Sequence, residues 1–400
     1  MVVGIHARPL AAVRRPLMRI LLLAEGDPET WDSWSGSARS LLHALRGLGH
    51  HVIGTDVSAG SLGMWADVAR SWVPSRRRWA ARYHLGPAGF ARRSRRARAA
   101  VARHVRQFDV VLQIGATFDA LRWSDRPGFV YCDANASLAG RDAPAGDVAM
   151  LRPAERDAVL ARERSVYIRA NAVLAMSEYL RRSFIADFGV PANSVETVYA
   201  GPNLDLDAVP PLNATLGGSP TILFVGKQWE RKGGPLVLAA FRGVRAAIPD
   251  ARLVIVGCTP EIPTDAADGV EIIGRVAKDA ANGQATLSDL YRRADVFCMP
   301  SLFEPFGVVF IEAMLHGVPC IGSDRCAIPE IISHGETGWV VPLDDIDALR
   351  VRLIAALSRS EALAAMRRHC RERALRFFTW ERVAERVSLI MSSAAPVARR

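Results

Sequence analysis

Residues 296–322 read VFCMPSLFEPFGVVFIEAMLHGVPCIG, and the fold follows from the order of patterns inside them. Val296, Phe297, Cys298 and Met299 form the short apolar run of a buried parallel strand. Pro300 and Ser301 end it. Glu304 comes next, with Pro305 suited to a first helical turn. Over residues 306–316 apolar side chains recur at helical spacing, and Gly317 stops the helix. Residues 318–321 form the next strand. Glu304 stands at the mouth of the helix, and Glu312 is eight residues on. Eight helical residues rise about 12 Å, a span over which two carboxylates can hold hydroxyls at opposite ends of one extended ligand. Between them, the free N–H groups at Phe306, Gly307 and Val308 offer a positive dipole end to a phosphate. A capped helix with one solvated and one buried glutamate would explain the same two acids without a ligand.

The bulk numbers set the frame. The chain has 400 residues, 50% of them hydrophobic, enough for two domains each with its own core and too apolar for a disordered chain. No apolar run reaches the roughly 18 residues of a membrane span. The apolar run from Met18 is soon followed by Glu25 and Asp27, which argues against a signal peptide and for a first strand. Residues 1–17 read as a loose extension, with Met18 an alternative start. Cys132, Cys258, Cys298, Cys320, Cys326 and Cys370 show no metal-ligand spacing and read as reduced thiols of a cytoplasmic protein.

The charge is uneven. Residues 1–205 hold 28 Arg, no Lys and 19 acids, a net of +9; residues 206–400 hold 23 basic and 22 acidic residues, a net of +1. The 37 residues between Arg70 and Arg106 contain 12 Arg and no acid, with Trp72, Trp79 and Phe90 interleaved. They read either as a solvated basic helix pair or as a surface for anionic lipid or an anionic acceptor. No nucleic-acid motif accompanies them, so nucleic acid is not expected as a partner. Only three lysines stand against 48 arginines, which makes the position of each lysine informative.

Taken in order, strands are expected over residues 18–24, 50–55, 109–114, 128–132, 172–176 and 197–200, with a helix over 38–48. The first strand leads through Ser35-Gly36-Ser37 into that helix, an arrangement that brings backbone close to a phosphate or sugar at Gly36. After a linker rich in Gly and Pro the pattern restarts. Strands over 221–225, 253–256, 270–272, 296–299, 318–321 and 338–341 alternate with helices over 235–247, 287–294, 306–316, 345–357 and 361–378. Alternation of this kind predicts an α/β protein of two doubly wound parallel sheets, whose ligands bind at the carboxyl ends of strands. Two lysines, Lys227 and Lys232, share the glycine-bounded loop GKQWERKGG before a helix. Paired cations there suit a diphosphate leaving group. The pairs Asp205/Asp207 and Asp345/Asp347 read as linker and helix-cap residues.

The run from Glu304 to Glu312, followed by AMLHGVP, strongly resembles the signature of retaining glycosyltransferases of the GT-B fold, the "group 1" or family-4 set. The resemblance is specific from about residue 221 to 391 and weaker from 18 to 203. It implies two Rossmann-like domains facing across a cleft: an acceptor-side domain over 18–205, a linker over 206–219, a sugar-nucleotide domain over 220–375, and a C-terminal helix over 376–391 crossing back to the first domain. It implies that Glu312 holds ribose hydroxyls. Lys227, Lys232 and the amides of Gly307 and Val308 take the diphosphate. Glu304 grips the transferred sugar, and Arg275 follows a strand whose backbone holds the base. Relatives usually carry histidine where Asp133 stands, so Asp133 is the candidate facing the sugar, and they carry paired glycines where this chain has Gly36 alone. The activity implied is transfer from a nucleotide-diphospho-sugar to an acceptor hydroxyl with retention, without metal or cofactor. The thiols and the arginine-rich segment add the expectation of a cytoplasmic protein peripheral to the inner membrane face. A sugar-nucleotide epimerase of the same fold and an inactive membrane-docking subunit are the alternatives.

Overall fold

The computed structural model describes residues 16–394, except 32, 59–60, 144–145, 207–208, 213–216, 279 and 281, with residues 61–64 described in backbone only. Residues 1–15 of the expected extension, Asp207 and part of the expected linker therefore lie outside the described residues. The chain divides into two compact units. One holds residues 16–200 together with the C-terminal helix Trp380–Ala394; the other is Gly201–Thr379.

In the first unit, β1 (Arg19–Ala24), β2 (His51–Asp56), β3 (Val110–Ile114), β4 (Gly128–Cys132), β5 (Ala172–Ala175) and β6 (Val195–Thr197) form one sheet in the order β2-β1-β3-β4-β5-β6. Every pair is parallel. Parallel neighbours need crossovers, and the helices that supply them cover both faces. That is why β3 and β4 are buried at every residue and read as continuous apolar runs. Leu21, Leu23, Val111, Val130, Val173 and Phe184 pack into one core. The C-terminal helix belongs to this unit, with His50 Nε2 2.8 Å from Ser388 Oγ.

In the second unit, β7 (Thr221–Val225), β8 (Arg252–Val256), β9 (Val270–Gly274), β10 (Val296–Met299), β11 (Cys320–Ser323) and β12 (Gly338–Val341) form a second parallel sheet in the order β12-β11-β10-β7-β8-β9. Each sheet reverses its winding once, between β1 and β3 and between β7 and β10. In doubly wound sheets the crevice beyond the carboxyl ends at that reversal is where ligands bind.

Several expectations move, among them the helix expected over 287–294, which is Gly283–Arg293, the strand expected over 318–321, which is Cys320–Ser323, and the C-terminal helix expected over 376–391, which is Trp380–Ala394. The last strand of the first unit lies at 195–197 rather than 197–200, because Tyr199 takes a left-handed φ of 63° and turns the chain out of the sheet. The arginine-rich segment spans three helices rather than two, Ser61–Ser71, Arg76–Leu85 and Pro87–Arg103. The helix expected over 306–316 is Val308–Leu315, with Gly307 at its N-cap (φ 97°) and Gly317 (φ 67°) beyond its end. Glu304 is thus a loop residue, and only about 6 Å of helical rise separates Val308 from Glu312. The 12 Å helical spacing of the two carboxylates does not exist. Asp345 caps the helix Ile346–Leu357, its carboxylate accepting from the Ala348 N–H at 2.8 Å. All six cysteines are free thiols. No described helix is long and apolar enough to cross a membrane.

Candidate functional site

The winding reversal of the second sheet gathers the first group of residues. β7 ends at Val225, and the loop that follows carries Lys227 and Lys232 before the helix Gly234–Ala247. β10 ends at Met299, and its loop carries Glu304. Glycines let the two loops touch. Gly233, at φ 75°, lies so close to Pro300 that a Cβ would come within 2.0 Å of the Pro300 carbonyl. Gly234 leaves room for the Trp229 ring, which sits edge-on to Phe224 at 5.1 Å. The stem of Lys232 lies over Gly226, and its ammonium forms an ion pair with Glu304 Oε2. Arg231 adds a second cation 3.8 Å from the same oxygen and donates to the Phe303 carbonyl. Both members of the central pair are nearly enclosed, with side chains 12% and 10% exposed. Burial lowers the pKa of Lys232, and the facing Glu304 carboxylate pushes it back up. Beside them Gly307 packs against Glu304 and the Phe310 ring, and Phe306 is buried edge-on to Phe378.

Glu312 is the centre of a second group. It lies in the middle of the helix Val308–Leu315 and is 1% exposed. Oε1 accepts from Lys278 Nζ at 2.7 Å and from the Asn203 N–H at 3.1 Å; Oε2 accepts from the Tyr291 hydroxyl at 3.1 Å. Burial and the Glu312 carboxylate together raise the Tyr291 pKa well above its ordinary value, so this phenol stays a donor. His316 stacks on Tyr291 at 5.3 Å and joins its Nδ1 to the Glu312 carbonyl at 2.8 Å, and burial lowers its pKa toward the neutral form.

Of the residues named from sequence in this unit, Lys232 and Glu304 come together, Gly307 lies against Glu304, and Glu312 has partners of its own. Lys227 and Arg275 are exposed on the loops after β7 and β9. Sequence reading missed Lys278, Tyr291 and Arg231 as contributors. For Lys278 a signal existed: it is the third lysine of an arginine-rich chain.

Gly36 and Asp133 belong to the first unit. Gly36, at φ 96°, precedes the helix Ser37–Gly47, and Trp34 and Ser35 before it are also left-handed. Trp34 lays its ring on Gly115, which follows β3; a Cβ there would meet it at 2.6 Å. Asp133 is half-buried just beyond β4. Three residues on from Asp133, the Ala136 N–H donates to Glu163 at 2.8 Å, and burial pushes the Glu163 pKa up to about 7.

The arginine-rich segment is partly internal. Its acids come from elsewhere in the unit: Arg78 and Arg82 pair with Glu155, Arg92 with Asp67, and buried Arg93 with Glu25 at 3.3 Å. Trp79 donates its indole N–H to the Val68 carbonyl, and Phe90 packs on the core. Arg70, Arg76, Arg77, Arg95, Arg96, Arg98, Arg103 and Arg106 are exposed, and so are Trp72 and, just outside the segment, Trp65. Among the described residues no three His, Cys, Asp or Glu gather as metal ligands.

Residues 219–359 match the family model of group 1 glycosyl transferases. The chain is 32% identical over 227 residues to a phosphatidyl-myo-inositol mannosyltransferase of Mycobacterium leprae (strain TN), an alignment covering 56% of this chain and 59% of that protein. It is 30% identical over 242 residues to a GDP-mannose-dependent alpha-(1-6)-phosphatidylinositol monomannoside mannosyltransferase of Mycobacterium tuberculosis (strain CDC 1551 / Oshkosh), covering 54% of this chain and 60% of that one. The chain thus spans about three fifths of the length of these relatives. Among solved structures, it is similar to sucrose-phosphate synthase from Thermosynechococcus elongatus at a TM-score of 0.68 and 20% identity, covering 94% of this chain and 98% of that one. Anabaena Alr3699/HepE in complex with UDP matches at 0.67 and 16% identity, over 94% of this chain and 100% of that one. Residues 219–359 thus resemble a group 1 glycosyl transferase domain, and the two parallel six-stranded sheets have the GT-B fold.

Proposed function

We propose that the protein is a retaining glycosyltransferase that moves a sugar from a nucleotide-diphospho-sugar to an acceptor hydroxyl. The observation that carries this is the enclosed Lys232–Glu304 pair at the winding reversal of the second sheet, one short loop ahead of the helix that bears buried Glu312. In this reading Glu304 accepts hydroxyls of the transferred sugar. Lys232 and Lys227, with the amides of Gly307 and Val308, take the charge that develops on the departing diphosphate. Glu312 takes the ribose, and Phe306 and Arg275 flank the nucleotide. The lysines and the helix end supply the positive charge, so no metal is assigned to the step. The acceptor hydroxyl attacks from the face the diphosphate leaves, and a phosphate oxygen removes its proton. The roles of Asp133 and Gly36 rest on the family resemblance alone.

Relatives named for phosphatidylinositol acceptors and GDP-mannose support a glycolipid acceptor and make GDP-mannose a first donor to try; the UDP complex of a fold neighbour adds UDP-sugars. The exposed arginines support attachment at an anionic inner-membrane surface. The test is a transfer assay with labelled GDP-mannose, UDP-glucose and related donors, with phosphatidylinositol and soluble polyols as acceptors, in EDTA. Transfer should proceed, and NMR couplings should show the donor's anomeric configuration in the product. An inverted product would remove the retaining assignment. Turnover that requires added metal would remove the metal-free one.

A further inference from the structure

Lys278 bonds to the carboxylate assigned to the ribose, and the donors already there limit what Glu312 can still hold. A carboxylate offers about four acceptor positions. Lys278 and the Asn203 N–H occupy Oε1, and Tyr291 occupies one side of Oε2. About one position, on Oε2, is left. The ammonium of Lys278 has a limit of its own. Of its three N–H donors, one goes to Glu312 and one to the Asn203 carbonyl at 3.0 Å. The other is carried on a side chain 25% exposed. The cluster therefore offers a ligand one acceptor and one donor, not two acceptors. A vicinal diol fits this pair: one hydroxyl donates to Glu312 while its neighbour accepts from Lys278. We propose that Lys278 is a ligand-binding residue of this site, its remaining N–H donating to one hydroxyl oxygen of the ribose diol while Glu312 accepts from the other. This rests on the nucleotide-sugar reading given above.

Calorimetric titration of the full-length protein and of Lys278→Met, each with UDP, GDP and their 2′,3′-dideoxy forms, tests it. The wild type should bind one ribonucleotide about tenfold or more tighter than its dideoxy form. Lys278→Met should lose roughly tenfold on the ribonucleotide and little on the dideoxy form, so that the preference for ribose collapses. If Lys278 only neutralises Glu312, its removal frees an acceptor position and the preference holds or grows, which overturns the proposal. A wild type that binds both forms equally also overturns it. Binding of no nucleotide by the wild type overturns the nucleotide reading itself, and the proposal with it. If the methionine variant does not fold, Lys278→Gln keeps an amide to donate to Glu312 and is read by the same outcomes.

Discussion

At the scale of single side chains, the ion pair of Lys232 with Glu304 does two things. It gives an enclosed carboxylate a cationic partner, and in the proposed reading it holds an ammonium where a diphosphate would need one. Lys232→Met removes the cation and leaves the acid, with Arg231 at 3.8 Å as partial compensation. Unfolding free energy from urea titration should fall by about 3 kcal/mol, and transfer should slow by a factor on the order of 10². Adding Glu304→Gln should restore much of the stability and none of the rate. Stability unchanged in the single variant would mean that the pair is solvated. Both members were legible in the sequence, Lys232 because lysine is rare in this chain and Glu304 because it stands just ahead of the apolar helical spacing. Lys278 was not, although equally rare. Its partner Glu312 is 34 residues away, and nothing local joins a loop after β9 to the middle of a helix. Tyr291 was hidden for a related reason, since an aromatic residue on an apolar helix face reads as core.

At the scale of elements, the helix Val308–Leu315 depends on Gly307. At φ 97° an L side chain is strained there, and a Cβ would also lie 2.9 Å from Phe310 Cδ2 and 3.2 Å from Glu304 Cγ. Gly335 is a control: its φ is 84°, but a Cβ there meets nothing within 4 Å. Gly335→Ala should cost about 1 kcal/mol from backbone strain. Gly307→Ala should cost about 2–3 kcal/mol and weaken nucleotide binding as well, because it displaces Glu304. Denaturant melts and calorimetry on both variants check this, and equal losses would show that space around Gly307 does not matter. The same glycine explains where sequence reading placed the helix badly. Apolar spacing starts at Phe306, so periodicity extends the helix back over residues whose backbone is turned aside. Strands buried on both faces, such as β4 and β10, were readable to the residue because their apolar runs end at polar or proline neighbours. β6 was misplaced because the apolar residues after Thr197 are buried without being paired as a strand.

At the scale of the whole molecule, composition revealed the excess of arginine in the first unit but not how it is divided. Arg78, Arg82, Arg92 and Arg93 are engaged by acids distant in sequence, so only the exposed remainder is available to a partner. Near an anionic membrane each is worth about 1 kcal/mol. The wild type should bind vesicles containing anionic lipid and not neutral ones, and salt should weaken the binding. Changing Arg76, Arg77, Arg95 and Arg96 to Gln should abolish sedimentation with vesicles while leaving the melting curve nearly unchanged. Changing Arg92 and Arg93 should do the reverse. A wild type that ignores anionic vesicles at low salt would end the membrane reading. Chain connectivity has a different consequence. The helix Trp380–Ala394 buries Val383, Val387 and Met391 in the first unit, whereas Gly201–Thr379 is continuous. On the ribosome the domain translated second is therefore the first whose residues are all present. The one translated first must wait, its hydrophobic seam open, until the helix Trp380–Ala394 clears the exit tunnel.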